Sequence, residues 1–288
     1  LPGSPITELA AFHIIFGKTV PDISLNAVAN LGYAEGLFLK PVFVGDTLRS
    51  VSEIIGLKEN SNGKTGVVWV RTSGFNQHDE KVIQYVRWVM VRKRDNNSIK
   101  SETIVPSLKS HLDVEDLIIP KGLNFENYNF ELSGENYCLN DYSVGEKINH
   151  VDGVTIEDAE HMMATRIWQN TAKVHFDVTQ RSDQSRLVYG GHIISLARSL
   201  SFNGLANAQL IAAINSGSHV NPCKAGDTVT AWSEILDISQ TTSPSIGAIR
   251  LRLVALKNGV DEFDLHDLNG LYKSNVLLDL DYWAFIPT

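Results

Sequence analysis

The apolar positions of the 288-residue chain first follow a near-helical spacing and then a strand-like one. Within residues 24–39 the spacing predicts the first long helix, which Pro41 would end. The residues that carry this pattern are Leu25, Val28, Ala29 and Leu31. Three segments that follow are rich in β-branched and aromatic residues and predict strands; they cover residues 42–60, 65–77 and 81–94. We therefore expect a helix followed by antiparallel strands.

The same order of elements is expected a second time, because the sequence repeats internally. Residues 41–55 and 222–236 align at a constant offset of 181, and seven of the fifteen positions are identical. Ordinary composition would give roughly one identity by chance. Upstream, Ile23–Leu25 matches Ile194–Leu196 at an offset of 171. The change of offset predicts about ten extra residues between helix and strand in the second unit. It also aligns Asp22 beside the position of His192.

The repeat and the composition divide the chain into three parts. Residues 1–94 form an N-terminal unit, residues 95–140 a linker rich in Asn, Ser and Glu, and residues 141–288 a C-terminal unit. The second unit has over fifty residues before its matching triplet and the first has 22, so the N-terminal unit is expected to be incomplete at its start.

Composition narrows the class of protein. A formal net charge of −8 argues against nucleic acid as a partner, because phosphate binding needs a basic surface. No apolar stretch is long enough to span a bilayer, and no leader pattern is seen at Leu1, so we expect a cytoplasmic protein without a membrane contact. Cys138 and Cys223 lack metal spacing and are expected to be plain thiols, and no metal site is predicted.

Polar residues gather ahead of a diglycine in residues 166–204. His175 precedes Gly190 by 15 residues, and Gly190, Gly191 and His192 open an apolar run that predicts a helix. Amides at a helix N-terminus can stabilise developing negative charge on an oxygen, and a nearby imidazole can transfer a proton. Structural roles remain open for both features, since a histidine can serve only as a hydrogen bonder and a diglycine only as a tight turn.

These residues resemble the MaoC-like hydratases of the hot-dog fold, which add water to enoyl-CoA thioesters. The resemblance rests on the spacing of 17 from His175 to His192 and on the Gly-Gly-His before the helix. The family motif reads Asp-x-Asn-Pro-aliphatic-His, whereas here Asn170 stands at the Asp position and Lys173 at the Pro position. Longer stretches look like one subfamily, the mesaconyl-CoA (2-methylfumaryl-CoA) hydratases; they cover residues 16–36, 58–71, 168–177 and 189–208.

The resemblance implies an α+β, double hot-dog fold of two tandem units, each an antiparallel sheet wrapped around a long helix. It further implies that the N-terminal unit binds substrate, that the C-terminal unit carries the chemistry, and that no cofactor is needed, since CoA is part of the acyl-CoA substrate. Such a chain can act alone or as a homodimer.

The chemistry of hydration assigns roles to the matching positions. His175 fits the acid/base role, and Asn170 can orient water but cannot accept a proton. The candidates for the missing carboxylate are Asp177, with a surface role as the alternative, and Asp22. The oxyanion donors are expected at the amides of Gly191 or Ile193, with Gly190 in the substrate site.

Mesaconyl-CoA also carries a free carboxylate, so its site needs a cation. The candidates are Lys173, Arg166 and His192, each of which could equally be a solvated charge. Two other functions stay open, a hot-dog acyl-CoA thioesterase and a non-catalytic acyl-CoA binding protein.

Overall fold

The computed structural model describes residues 3–25, 27–95, 102–259 and 263–288. The helices are α1 (Glu8–Thr19), continued by a π-turn (Val20–Ser24), α2 (Phe130–Ser133), α3 (Asp158–Ile167), α4 (Gly190–Leu200) and α5 (Phe202–Leu205). The strands are β1 (Ala27–Phe38), β2 (Arg49–Glu59), β3 (Thr65–Phe75), β4 (Lys81–Arg92), β5 (Lys147–Thr155), β6 (Leu210–His219), β7 (Thr228–Gln240), β8 (Ile246–Lys257) and β9 (Val276–Pro287). Short 3-10 turns cover Val114–Asp116, Leu139–Asp141, Lys173–His175 and Val178–Gln180.

All nine strands form one antiparallel sheet in the order β2-β3-β4-β1-β6-β9-β8-β7-β5. The two units meet where β1 pairs with β6, with Tyr33 opposite Gly217 and Leu37 opposite Ala213. Each unit contributes four strands in mirrored order, and β5 extends the second unit at its outer edge. Pairing β1 with β6 gives both strands hydrogen-bonding neighbours on each side, so neither is left as an open edge.

The predicted helix over residues 24–39 is wrong. Residues 27–38 form the central strand β1, and the first helix lies earlier, at Glu8–Thr19. Gly32 and Gly36 disfavour a helix, and Gly32 is needed in the sheet because an added Cβ would lie 2.4 Å from the Trp88 ring. Four apolar positions at helical spacing were too few to outweigh these features.

The offset of 171 is also wrong, because the offset of 181 continues through the helices and the first strands. It maps α1 onto residues 189–200 and β1 onto residues 208–219, which coincide with α4 and β6. No ten-residue insertion follows the second helix at the position predicted. Ala11, and not Asp22, matches His192, and Asp22 lies exposed in the π-turn after α1.

The two long helices pack on one face of the sheet. The Thr7 side chain caps α1 by accepting from the Ala10 amide, and the helix buries apolar residues on several sides. The shared core includes Phe12, Ile15 and Phe16 of α1 with Ile193, Ile194 and Ala197 of α4. Burying each such large side chain stabilises the fold by about 1.5–3 kcal/mol, so the seam between the helices is a major part of the core.

The linker covers the opposite face of the sheet. Leu112 and Leu117 pack on Trp283 and Phe285, whose side chains point away from the helices. The Trp283 indole donates to the Leu112 carbonyl at 2.9 Å, and the Leu112 amide donates to Asn215 at 2.9 Å. Within the described ranges, no helix is long and apolar enough to cross a membrane.

Candidate active site

His175 ends the short turn Lys173–His175 in the loop between α3 and α4. Its Nδ1 atom lies 2.9 Å from the Leu187 carbonyl oxygen, which can only accept a hydrogen bond, so Nδ1 carries the proton. The Nε2 atom therefore keeps a lone pair. Burial of the ring lowers the pKa of His175 to about 4, so the imidazole is neutral near pH 7 and can act as a base.

The N-terminus of α4 follows directly after Tyr189. The Tyr189 carbonyl accepts from the amides of His192 at 2.9 Å and Ile193 at 3.4 Å. The Ile193 amide is thus already engaged, which argues against its predicted role as an oxyanion donor. The amides of Gly190 and Gly191 come before the first intrahelical partners, and the helix dipole adds partial positive charge at this end.

The diglycine is needed for close packing. A Cβ on Gly190 would lie 2.5 Å from the His219 ring, and a Cβ on Gly191 would lie 2.5 Å from the Tyr189 ring. Two glycines therefore let two aromatic side chains approach the helix start. His219 was missed in the sequence because it lies at the end of β6 and matches no motif.

A network of buried rings joins the two units beside this helix end. His219 Nε2 and Tyr33 Oη are 3.0 Å apart, and Tyr33 belongs to β1 of the N-terminal unit. Burial lowers the pKa of His219 to about 4 and raises the pKa of Tyr33 above its usual value. On the next helix turn, His13 Nε2 lies 2.8 Å from Ser195 Oγ, so α1 and α4 are also joined directly.

Asn170 is buried in the loop that leads to His175. Its side-chain oxygen accepts from the Ala172 amide at 2.9 Å, which shapes the turn. The loop packs closely on α1, since a Cβ on Gly17 would lie 1.9 Å from the Trp168 carbonyl oxygen. Asn170 therefore positions the segment that carries His175, whatever it contributes to the chemistry.

Asp177 is placed in a structural role. Its carboxylate caps the turn Val178–Gln180 and accepts from the Thr179 amide at 3.0 Å and the Thr179 hydroxyl at 2.7 Å. These hydrogen bonds lower the pKa of Asp177, so its carboxylate stays ionised and is a weak base. The geometry argues against the predicted catalytic role.

None of the three cations predicted to bind the substrate carboxylate lies in a buried anion site. Lys173 is exposed, and Arg166 is exposed with its guanidinium 4.7 Å from the centre of the Phe176 ring. His192 Nε2 lies 2.9 Å from a Glu160 carboxylate oxygen. None of the three is therefore a fully buried cation able to hold an anion inside the protein.

Arg87 of β4 is a buried cation, and the sequence predicted only that it lies in a strand over residues 81–94. It is 0% exposed, and its Nη2 atom donates to Thr19 Oγ1 at 2.8 Å. Its guanidinium carbon lies 4.3 Å from the centre of the Phe16 ring. A signal existed in the sequence, since Arg87 alternates with Tyr85 and Val89 on the strand face that also carries Ile83 and Val91.

The described residues hold no group of three or more His, Cys, Asp or Glu side chains that could bind a metal ion. Cavities of about 620 Å³ and 380 Å³ lie elsewhere: the first includes Phe202 and Asn203, and the second includes Arg252 and Asp279. His175 lines neither of them. The candidate site is therefore described by the side chains around the start of α4 and not by either of these two cavities.

Comparisons with known proteins agree with this architecture. A family model for mesaconyl-CoA hydratase matches residues 3–262. The chain is 64% identical over 287 residues to mesaconyl-CoA hydratase of Cereibacter sphaeroides, and this match spans 100% of this chain and 84% of that protein. It is 57% identical over 292 residues to β-methylmalyl-CoA dehydratase of Chloroflexus aurantiacus, spanning 100% of this chain and 83% of that protein.

Solved structures of similar proteins superpose on this chain. A MaoC domain dehydratase from Chloroflexus aurantiacus superposes with a TM-score of 0.95 at 56% identity, covering 98% of this chain and 82% of that one. A conserved hypothetical protein from Mycobacterium tuberculosis, described as a double hotdog fold, superposes with a TM-score of 0.72 at 21% identity, covering 100% and 83%. The double hot-dog fold expected from the sequence is confirmed.

Proposed function

The chain belongs to the mesaconyl-CoA hydratase family, and we propose that it adds water to the double bond of mesaconyl-CoA to give β-methylmalyl-CoA. The hydroxyl group goes to the carbon β to the thioester and a proton to the α carbon. The observation that carries this proposal is the hydrogen bond from His175 Nδ1 to Leu187, because it leaves Nε2 free as a base.

His175 Nε2 accepts a proton from water as the water oxygen attacks the β carbon. Negative charge then develops on the thioester oxygen, where the amides of Gly190 and Gly191 at the start of α4 are the donors we assign to stabilise it. The imidazolium formed in the first step returns its proton to the α carbon. One histidine thus serves as base and then as acid.

Asn170 supports this single-histidine scheme. Its amide cannot accept a proton, so it does not replace the carboxylate of the usual family motif. Its oxygen is used by the Ala172 amide, which leaves the side-chain NH₂ group as the end that can donate to water or substrate. We assign Asn170 to positioning, with no proton transfer.

Thioester hydrolysis is the less favoured reaction. It would need a carboxylate as nucleophile or base, and Asp177, the carboxylate nearest in sequence to His175, is held in a turn by Thr179 and Gln180. A binding protein without activity remains an outcome of the assay, because Asn170 stands where the family motif has Asp.

Absorbance and thiol release measured together decide among the three functions. With mesaconyl-CoA, loss of enoyl-thioester absorbance without free thiol is the expected result and indicates a hydratase. Thiol release would indicate a thioesterase. Retained binding with neither signal would indicate a binding protein, and either of these last two results would overturn the proposal.

Homodimer formation and a cytoplasmic location stay predictions. β2 lies at one edge of the sheet with Val51 and Ile54 more than half exposed, so an edge contact between two copies is compatible with the surface. Light scattering after size-exclusion chromatography would give the mass in solution.

A further inference from the structure

Arg87 is a buried cation with few partners. Its Nη2 atom is bound to Thr19 Oγ1, but its Nε and Nη1 atoms have no hydrogen-bond partner among the residues the structure describes. The end of α1 and the Phe16 ring offset part of the charge, since a helix C-terminus and an aromatic face both attract cations. A buried guanidinium that keeps two free N–H groups is costly, which indicates a ligand or a functional role.

The second unit provides an internal comparison. Tyr33 pairs with Arg87, and the residue at offset 181 from Tyr33, Ile214, pairs with Tyr282, so Tyr282 occupies the position equivalent to Arg87. There the buried cation comes from Arg198, whose Nη atoms donate to Ser201, Tyr282 and the Ala208 and Gln209 carbonyls. Both Nη atoms of the buried arginine in the second unit thus have acceptors, whereas Arg87 Nη1 and Nε in the first unit have none among the described residues.

Arg87 is connected to the candidate active site by a chain of ring contacts. It packs on Phe16, whose ring is 5.6 Å from the Tyr189 ring, and Tyr189 is in turn 5.8 Å from His175. Tyr33, opposite Arg87 across the β1–β4 pair, contacts His219, which covers Gly190. The Arg87 guanidinium is thus connected through Phe16 to the rings that surround the start of α4.

We propose that Arg87 binds the free carboxylate of the substrate's acyl group, so that the N-terminal unit selects thioesters of dicarboxylic acids. This inference rests on the proposed function, because it places the thioester at α4 and the opposite end of the same short acyl group at Arg87. An unpartnered N–H group of a guanidinium can donate a charge-assisted hydrogen bond to a carboxylate oxygen.

A carboxylate is favoured over the phosphates of CoA. Arg87 is 0% exposed and lies on the inner face of the sheet between Phe16 and the tyrosines, where only the small acyl end of the substrate would fit. The phosphates belong to the large nucleotide part, which would have to stay nearer solvent. Arg87 therefore determines which acyl group the protein binds and does not contribute to the affinity for the CoA part of the substrate.

Binding of two unreactive thioesters tests this assignment. Succinyl-CoA and butyryl-CoA share a four-carbon acyl chain, and a carboxylate in the first replaces a methyl group in the second. Calorimetric titration should show that the wild-type protein binds succinyl-CoA at least about tenfold more tightly. Arg87→Gln should weaken succinyl-CoA binding by about 100-fold and change butyryl-CoA binding by less than about threefold, because only the first ligand loses a buried charge partner.

Four further measurements distinguish a role of Arg87 in substrate recognition from a structural role. Arg87→Met should keep or raise Tm, since it removes a buried unsatisfied charge, whereas Arg87→Lys should restore only part of the preference. Arg71→Gln is the matched control, because it removes an arginine of β3 that is paired with Glu35 of β1. It should leave the affinities for succinyl-CoA and butyryl-CoA unchanged. The dissociation constant of free CoA should be the same in all variants.

The inference fails if Arg87→Gln keeps the preference for succinyl-CoA, or if it weakens both ligands equally while lowering Tm. It also fails if Arg87→Met does not fold. These readouts do not depend on turnover, so a preference for succinyl-CoA in a protein that does not hydrate mesaconyl-CoA would overturn the proposed function and leave the carboxylate site standing.

Discussion

The Nδ1 atom of His175 donates to the carbonyl oxygen of Leu187 over 2.9 Å, and this contact fixes which ring nitrogen is free for chemistry. Leu187 lies three residues before the diglycine that opens α4. The same loop therefore sets the tautomer of the base and leads into the amides assigned to the thioester oxygen.

Replacing His175 by Gln should lower kcat for hydration by at least about 100-fold, because the proton acceptor is lost. His78→Ala is the matched control, since His78 is exposed in the turn after β3, and its kcat should stay at the wild-type value. Steady-state assays with mesaconyl-CoA measure both. A His175→Gln enzyme within tenfold of the wild type would remove His175 from proton transfer.

The pH profile of hydration follows from the lowered pKa of His175, which is about 4. The base form is the neutral ring, so kcat/KM should be level from about pH 5 to 8 and fall as the pH drops through 4. Initial rates over this range, taken only where the fold is intact by circular dichroism, provide the measurement. A decline centred near pH 6.5 would mean that the ring titrates as if it were solvated.

Stability should decrease between about pH 6.5 and pH 4. Burial lowers the pKa of four histidines in the folded state, to about 3 for His13 and about 4 for His150, His175 and His219. In this window the unfolded chain binds protons that the folded chain does not, so each histidine can reduce the free energy of unfolding by up to roughly 1.4 kcal/mol per pH unit. Urea unfolding at several pH values measures the slope, and a constant free energy from pH 6.5 to 4.5 would contradict the burial of these rings.

Gly190→Ala should reduce both stability and activity. The new methyl group would lie 2.5 Å from the His219 ring, so His219 must move and its contact with Tyr33 is lost. Overpacking of this kind costs about 1–3 kcal/mol. Thermal unfolding and turnover are the measurements, and Gly3→Ala is the control because an added Cβ there meets no atom within 4 Å.

Asp177→Asn should keep kcat within about threefold of the wild type. The amide oxygen can still accept from the Thr179 amide and hydroxyl, so the turn is preserved while the charge is removed. Asp177→Ala should cost about 1 kcal/mol of stability through loss of the cap. A 100-fold fall in kcat for Asp177→Asn would instead assign this carboxylate to the reaction.

The two repeated units could be predicted from the sequence, whereas the central strand β1 could not. The repeat at offset 181 predicted two similar units, because residues of the same type at matching positions specify the same elements. Four apolar residues in 24–39 misled the helix prediction, because β1 is specified by its neighbours β4 and β6 on either side and not by a period of its own.

By itself the sequence determined the duplicated α+β fold, the family resemblance and the placing of His175 ahead of a helix that begins with two glycines. Only the tertiary structure decided that Asp177 caps a turn, that His219 covers Gly190, and that Arg87 is buried against Phe16 and Thr19. The physical reason is that helix and strand periods are set by near neighbours, whereas burial and hydrogen-bond satisfaction depend on residues far apart in the chain. Arg87 on β4 and Arg198 on α4 are both buried arginines, and only their three-dimensional surroundings show that both Nη atoms of Arg198 have acceptors whereas Nε and Nη1 of Arg87 have none among the described residues.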